Sequence, residues 1–291
     1  MRAEYAAQLS AAGLDPDWVA ELVDRCLTED LGERGDVTSI ATIPAESRGT
    51  ADVVLRADGV LAGVPVACAV LSALDVDAEI DVRATDGQRV GGGDVVLTVT
   101  GRVRQLLTVE RTMLNLLCRA SGVATVTRAW ADALEGTGAQ VLDTRKTTPG
   151  LRALEKYAVR RGGGTNKRLG LYDVAMVKDN HVVAAGGVAP AYAAVRRSYP
   201  DIDIQVEVST VEMAREAVAA GASFLLCDNM SPDLLRQVVT AVGPGVQLEA
   251  TGGLTLERGR EYAETGVHYL SVGALTHSAS IVDIAMDLRG S

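Results

Sequence analysis

Charged and polar residues follow six short apolar segments in the second half of this 291-residue chain, where each segment ends. These positions are 143–146, 178–180, 207, 228–229, 249 with 251–253, and 271 with 273. Cations there can hold an anionic substrate, carboxylates can hold a hard metal ion, and glycine turns can receive a phosphate. The pattern predicts an active site for an anionic, phosphate-bearing ligand.

The cations are concentrated in one stretch of an acidic protein. The chain has 28 Lys and Arg against 38 Asp and Glu, a formal charge of −10, yet residues 145–178 hold nine basic residues and two acidic ones. The acidic whole argues against nucleic acid or an anionic membrane as a partner. Candidate substrate ligands, at predicted strand ends or beside the glycines at 162–164, are Arg145, Lys146, Lys167, Arg168 and Lys178. The remaining cations, predicted to form a solvated helix face, are Arg152, Lys156, Arg160 and Arg161.

Two carboxylates and two glycine turns complete the predicted site. Glu207 and Asp228 are 21 residues apart, the length of one strand-helix repeat, so both fall on the same rim. Such carboxylates suit Mg²⁺, which takes one or two of them together with substrate phosphate oxygens and water. The turn Thr251-Gly252-Gly253, and Gly273 after the last strand, precede predicted helices and are typical of a phosphate site.

A parallel sheet would bring these residues together. Apolar strands alternate with helical segments, and the strands are predicted at 140–142, 174–177, 202–208, 224–227, 246–248 and 269–272. Helices are predicted at 150–161, 189–199, 211–220, 232–242, 256–265 and 277–288. Six such repeats indicate a closed or nearly closed α/β barrel, with a doubly wound open sheet as the alternative.

The first hundred residues have a different, mixed pattern. A helix is predicted at 15–31 and a shorter one at 66–74, and strands are predicted at 51–57, 79–84 and 94–100. A long helix at 103–134, interrupted near Ser121-Gly122, leads out of this region. We therefore predict an α+β amino-terminal domain with an antiparallel sheet at 1–115 and an α/β-barrel domain at 116–291. The C-terminal helix could also pack back on the first domain.

The sequence lacks the patterns that are typical of membrane, secreted and zinc-binding proteins. The longest uncharged stretch, 59–74, is shorter than a membrane helix needs, and no apolar signal-peptide core begins the chain. The four cysteines form no CxxC pair, and the three histidines are scattered, which argues against structural zinc. We expect a reduced, cytoplasmic protein that contacts neither membrane nor nucleic acid.

Eight motifs spread over nearly the whole chain carry a family resemblance. They are EDLGERGDVTS (29–39), RADGVLAGVP (56–65), ERTMLNLLCRASGVAT (110–125), DTRKTTPGLRALEKYAVRRGGGTNKRLGLYDVAMVKDNH (143–181), VEVST (206–210), LCDNM (226–230), LEATGGLT (248–255) and GVHYLSVGALTHSA (266–279). Together they closely resemble the quinolinate phosphoribosyltransferases. The resemblance implies an incomplete α/β barrel behind an α+β domain, and a homodimer or higher oligomer with shared active sites.

The same resemblance implies a reaction and a role for each candidate residue. Quinolinate and phosphoribosyl pyrophosphate would give nicotinate mononucleotide, CO₂ and pyrophosphate, with Mg²⁺, in NAD biosynthesis. Substrate-binding roles would fall to Arg111 reaching across the dimer, and to Arg145, Arg168 and Lys178, while Lys167 is a substrate-binding candidate from its position beside the glycines. Catalytic roles would fall to Lys146, Glu207 and Asp228, the last two also facing the metal. Phosphate-binding roles would fall to Thr251, Gly252, Gly253, Gly273 and His277.

One departure from the family keeps alternatives open. Lys167 stands where the family usually has a histidine, so we expect either a fifth cation that tightens acceptor binding or a side chain directed to solvent. A related enzyme acting on another pyridine or azole carboxylate is one alternative, and a non-catalytic phosphoribosyl-binding protein is another. A Schiff-base aldolase is a third, because Lys178 ends the apolar run AMVK.

Overall fold

The computed structural model describes residues 2–74 and 78–290. By its internal contacts the chain forms two compact units, each built from separate stretches. Unit 1 comprises Met1–Val126, Pro149–Gly163 and Ala279–Ser291, and unit 2 comprises Thr127–Thr148 and Gly164–Ser278. The single boundary between residues 115 and 116 stays a prediction. No helix in the described ranges has the length and apolar character that a membrane crossing requires.

Helices and strands are labelled in chain order. The first half contains α1 (Ala3–Ala11), α2 (Pro16–Leu31), α3 (Val37–Thr42), β1 (Arg48–Leu55), β2 (Gly59–Val60), α4 (Val64–Leu74), β3 (Glu79–Val82), β4 (Arg89–Val90), β5 (Val95–Arg102) and α5 (Val103–Ala133). The second half contains β6 (Gln140–Leu142), α6 (Arg152–Arg161), β7 (Val174–Val177), α7 (Asp179–Ala185), α8 (Val188–Ser198), β8 (Asp203–Val208), α9 (Val211–Ala219), β9 (Phe224–Asp228), α10 (Pro232–Val242), β10 (Gln247–Thr251), α11 (Leu256–Ala263), β11 (Tyr269–Ser271), α12 (Ala274–His277) and β12 (Ile284–Leu288).

Unit 1 contains the predicted antiparallel sheet, with strand order β12-β1-β5-β3. β1 and β5 pair antiparallel, with Asp52 opposite Thr98. The predicted helix after residue 15 is α2, which begins where the Asp15 carboxylate accepts the Asp17 N–H at 2.9 Å. It ends at Gly32, whose φ of +47° suits a residue without a side chain. The α+β fold of this region is confirmed.

The predicted C-terminal helix at 277–288 is wrong. The chain there forms only the short α12 and then β12, which pairs antiparallel with β1 and places Met286 opposite Val53. Ile284 and Met286 are buried on one face of this strand. The apolar residues of this segment follow a period of two as well as a helical period, and pairing with β1 selects the extended form.

Helix α5 is continuous, so the interruption predicted near Ser121-Gly122 is also wrong. Gly122 lies within the helix, and a Cβ at this position would overlap the backbone of Ser280. This glycine is needed because the terminal segment of unit 1 passes directly against the helix. The Ser121-Gly122 pair therefore indicates a close approach between two chain segments and not the end of a helix.

Helix α6 also differs from its prediction. Residues 154–159 are all buried within unit 1, among them Lys156 at 1 % exposure. The predicted solvated face is therefore wrong for Lys156. Glu155 is fully buried and accepts a hydrogen bond at 2.7 Å from the guanidinium of Arg119 on α5. Burial is tolerated because this carboxylate has a guanidinium partner.

Unit 2 is built on a parallel sheet with strand order β6-β11-β10-β9-β8-β7. The last strand, β11, pairs with the first, β6, as in a barrel, and this order excludes the doubly wound alternative. β6 and β7 are the two ends of the sheet, so the barrel is incomplete, as the family resemblance implies. A parallel bridge between Leu142 and Thr165 lays the segment after the glycines along β6.

Candidate active site

A cavity of about 770 Å³ is lined by residues of unit 2, mainly from the carboxyl ends of its strands. All but one of the predicted site residues belong to this lining: Arg145, Lys146, Lys167, Arg168, Lys178, Glu207, Asp228, Thr251, Gly252, Gly253, Gly273 and His277. The structure thus brings together in one cavity the residues that the sequence places on one rim. Their individual roles stay predictions.

The strand register explains why side chains far apart in sequence share this cavity. Glu207 on β8 is opposite Leu226 on β9, which is in turn opposite Glu249 on β10. One layer further toward the carboxyl ends, Asp228 is opposite Thr251. Paired residues of neighbouring parallel strands point to the same face of the sheet, so these residues project together into the cavity.

Two arginines form part of the cationic side of the cavity. One guanidinium nitrogen of Arg168 donates to the Val174 carbonyl at 3.0 Å, which fixes the side chain beside β7. Burial and the nearby Arg145 cation lower the pKa of Arg168 from its ordinary value. The Nε of Arg145 is buried and has no hydrogen-bond partner among the described residues. Two close guanidinium groups are arranged to receive an anion.

Lys178 and the two predicted metal carboxylates occupy the neighbouring strand ends. The Lys178 ammonium donates to Glu207 at 3.0 Å, and 46 % of the lysine side chain is exposed. Asp228 accepts a hydrogen bond from the side-chain amide of Asn229 at 2.8 Å. A Schiff-base nucleophile needs an amine that is free to attack a carbonyl, and the Lys178 amine is instead engaged by Glu207, so the geometry argues against the aldolase alternative.

Lys167 does not extend into solvent. Its ammonium lies 2.5 Å from Glu249 Oε1, and the two side chains are 8 % and 0 % exposed. Ser271 donates a hydrogen bond to the same carboxylate. Burial lowers the pKa of Lys167 and raises that of Glu249, while each charge opposes the shift of the other. Glu249 and Ser271 were visible in the sequence as polar strand-end residues but are absent from the predicted roles.

The glycine turn after β10 is held against the loop after β9. The Asn229 N–H donates to the Thr251 carbonyl at 2.9 Å. A Cβ on Gly252, whose φ is +93°, would overlap the side chain of Asn229. Only glycine combines this backbone conformation with this close approach to Asn229.

Gly273 lies where the loop after β6 contacts helix α12. A Cβ at this position would lie 3.1 Å from both the Lys146 side chain and the His277 ring. The Thr276 hydroxyl donates to the Lys146 carbonyl at 2.8 Å, and this hydrogen bond fixes the loop after β6 on α12. Lys146 is therefore held next to the predicted phosphate turn.

Arg111 is the predicted site residue outside this lining. It lies on α5 in unit 1, and its side chain is exposed. A metal cluster of three or more Asp, Glu, His or Cys is absent from the residues that the structure describes. Glu207 and Asp228 would thus supply two carboxylates, which fits only an ion completed by substrate oxygens and water.

Comparison with known proteins identifies the family. The N-terminal domain of quinolinate phosphoribosyl transferase matches residues 36–121, and the C-terminal domain of the same transferase matches residues 123–287. The chain belongs to the quinolinate phosphoribosyltransferase family. The family resemblance stated from the sequence motifs is confirmed.

Relatives and solved structures agree with this assignment. The carboxylating nicotinate-nucleotide pyrophosphorylase of Mycobacterium leprae is 49 % identical over 278 residues, which cover 94 % of this chain and 98 % of the relative. A probable enzyme of the same name from Bacillus subtilis is 41 % identical and covers 92 % of each chain. The crystal structure of NadC from Streptococcus pyogenes superimposes with a TM-score of 0.91 at 37 % identity, covering 95 % of this chain and 97 % of that one.

Proposed function

We propose that the unit 2 cavity carries out the reaction of the quinolinate phosphoribosyltransferase family. The chain is a phosphoribosyltransferase of NAD biosynthesis that converts quinolinate and phosphoribosyl pyrophosphate to nicotinate mononucleotide, CO₂ and pyrophosphate. The observation that supports this site is that cations, carboxylates that include Glu207 and Asp228, and two glycine turns line one cavity at the strand ends. A dicarboxylate and a phosphorylated sugar need these three kinds of group together.

The acceptor belongs at the cationic side of the cavity. Arg145 and Arg168 would bind carboxylate oxygens of quinolinate, because their guanidinium groups are close together and the Arg145 Nε has no partner among the described residues. Lys167 and Lys178 add two ammonium groups to the same side. These groups would orient the pyridine nitrogen toward the anomeric carbon, which is the main catalytic requirement.

The donor belongs between the carboxylates and the glycine turns. Positive charge builds on the ribose as pyrophosphate leaves, and Glu207 and Asp228 would stabilise it without forming a covalent bond. Lys146 would offset the charge on the departing pyrophosphate, while the turns at 251–253 and 273 with His277 would hold the 5′-phosphate. Once the pyridine nitrogen carries the ribose it is cationic, so the adjacent carboxylate can leave as CO₂ without an organic cofactor. The bonding electron pair stays on the ring carbon beside the cationic nitrogen, and this carbon then takes up a proton from water.

Mg²⁺ is part of this proposal. Glu207 and Asp228 would hold it together with donor oxygens and water, in keeping with the oxygen ligands that this ion prefers. When bound, the ion would neutralise charge on the pyrophosphate leaving group. Removal of divalent cations with EDTA should abolish turnover, and added Mg²⁺ should restore it; full activity in EDTA would remove the metal from the proposal.

We further propose a homodimer in which Arg111 serves the site of its partner. Its exposed position on α5, outside the lining of the unit 2 cavity, supports this role. Mixing Arg111→Ala subunits with Lys146→Ala subunits should then restore about a quarter of the native activity, because half of the dimers carry one intact site. If verified subunit exchange restores none, each site is complete within one chain.

One assay separates the proposed function from its alternatives. The protein is incubated with phosphoribosyl pyrophosphate, Mg²⁺ and a panel of pyridine and azole carboxylates, and CO₂ and pyrophosphate are measured. Release of both with quinolinate supports the proposal, and preference for another acid indicates the diverged enzyme. Ligand binding without release would indicate a non-catalytic phosphoribosyl-binding protein. Reaction in the cytoplasm stays a prediction of the sequence.

A further inference from the structure

The cavity contains a buried ion pair that the reaction itself does not explain. Lys167 and Glu249 are in contact at 2.5 Å, and the Glu249 side chain is fully buried although it forms part of the cavity lining. Ser271 donates to Oε1 of Glu249, whereas Oε2 is buried with no hydrogen-bond partner among the described residues. Burying a carboxylate is costly, so a chain that keeps one here must gain something from its charge.

The surroundings of Lys167 show what that charge opposes. The charged groups that face it are Glu249 on β10, Lys178 after β7, Arg168 beside it and Asp143 after β6. Arg168 and Lys178 lower the pKa of Lys167, as burial does, and Glu249 raises it. Asp143 accepts the Lys167 backbone N–H at 2.8 Å and the Asn166 side-chain amide at 2.7 Å. Glu249 contacts the ammonium itself, at 2.5 Å.

We propose that Glu249 is a positioning residue that keeps Lys167 charged and directed to the cavity, so that Lys167 takes part in selecting an anionic acceptor. This inference rests on the proposed function, because it needs the acceptor to bind at the cationic side. Lys167 then differs from an additional free cation. Its charge is balanced by Glu249, and the pair holds one ammonium in the cavity lining, near the cations of Arg168 and Lys178.

The proposal predicts a pH-dependent defect in Glu249→Gln. Without the Glu249 carboxylate, the lowering of the Lys167 pKa by burial and by the neighbouring cations is opposed less, and the acid dissociation constant of Lys167 should increase about tenfold or more. Quinolinate binding should then be near native at low pH, where the Lys167 amine is protonated, and weaken by up to about tenfold per pH unit above the lowered pKa. A merely structural role would weaken binding equally at all pH values.

The titration can be measured directly because the chain has only four lysines: Lys146, Lys156, Lys167 and Lys178. Protein labelled with ¹³C at the lysine ε-carbon should give four NMR signals, and the Lys167→Arg variant assigns the one of interest. The Lys167 signal should titrate at lower pH in Glu249→Gln than in the native protein. Glu249→Asp, which keeps the charge, should lie between them. Glu257→Gln, which changes an exposed carboxylate on α11, is the matched control and should leave the titration and KM unchanged.

Binding and titration together decide the proposal. The double variant Lys167→Met, Glu249→Gln should bind quinolinate weakly and without the added pH dependence, since the titrating amine is gone. An unchanged Lys167 titration in Glu249→Gln, or a KM increase that is the same at low and high pH, overturns the proposal. If Glu249→Gln does not fold, an unchanged titration in Glu249→Asp overturns it instead. A native protein that releases neither CO₂ nor pyrophosphate overturns the proposed function, while the NMR titration still decides the pair.

Discussion

Helix α6 and the cations of the unit 2 cavity come from the same basic stretch of sequence, residues 145–178. The charges of α6 contact other parts of the protein, whereas the cations of the cavity line a space that a ligand can enter. In α6, Glu155 is paired with Arg119, and two arginines lie over the ring of Tyr157, with Arg161 at 4.9 Å from its centroid. The Tyr157 hydroxyl donates to Asp86, whose carboxylate also accepts the N–H groups at the start of α4. These charges are bound by other parts of unit 1 and serve its stability.

On the rim, the charges face a cavity. Arg145 and Arg168 are close together, the Arg145 Nε has no partner among the described residues, and Lys178 is nearly half exposed. Such an arrangement is costly to the free protein and becomes favourable when an anion binds. The net charge of a stretch of sequence therefore shows where cations are concentrated, but it does not show which of them are placed to bind a ligand.

The largest effect should come from the rim carboxylates. Asp228→Asn and Glu207→Gln should each lower kcat by about a hundredfold to a thousandfold, because each removes charge that stabilises the transition state. Both residues are partly exposed, so the urea midpoint of unfolding should change little. Turnover and unfolding are measured on the same preparations, and native turnover in both variants would remove these residues from the mechanism.

The converse result is expected in α6. Glu155→Gln should lower the free energy of unfolding by about 2–3 kcal/mol, because the Arg119 guanidinium loses its buried negative partner. The KM for both substrates should stay within experimental error in the folded fraction, which steady-state kinetics below the unfolding transition can measure. A large change in KM together with a native free energy of unfolding would show that Glu155 acts on substrate binding, as the cavity residues do, and not on stability.

A smaller effect is expected at the glycine turn. Gly252→Ala should raise the KM for phosphoribosyl pyrophosphate about tenfold, since a side chain at φ +93° is strained and overlaps Asn229. Gly253→Ala is the matched control, because its φ is +59° and a Cβ there meets no atom within 4 Å. Equal defects in the two variants would show that the contact with Asn229 does not shape the turn.

The smallest effect is expected at Arg160 of α6. Arg160 lies on the exposed edge of the helix, with its guanidinium carbon 5.7 Å from the Tyr157 ring centroid. Arg160→Ala should lower the free energy of unfolding by about 0.5–1 kcal/mol and leave kcat and KM unchanged. Denaturant unfolding with parallel kinetics tests this, and a loss of quinolinate affinity would assign Arg160 to the substrate.

The sequence by itself determined the barrel and its rim. Strand periodicity placed β6 and β7 at their observed residues, and β8 to β11 within a few residues. Because strands of a parallel sheet end at one edge, residues such as Glu207 and Asp228 could be assigned to a shared cavity without coordinates. Local spacing is sufficient for this step, since a strand end is a local property of the chain.

Only the tertiary structure decided what each charge contacts. Lys156 and Lys167 are both lysines of the same basic stretch, yet one is buried in α6 of unit 1 and the other is paired with Glu249 in the cavity lining. The segment at 284–288 became a strand because β1 offered it a partner more than 200 residues away in sequence. Ion pairs and strand pairing join parts of the chain that are distant in sequence. The local spacing of apolar and polar residues cannot predict which distant residue will be the partner.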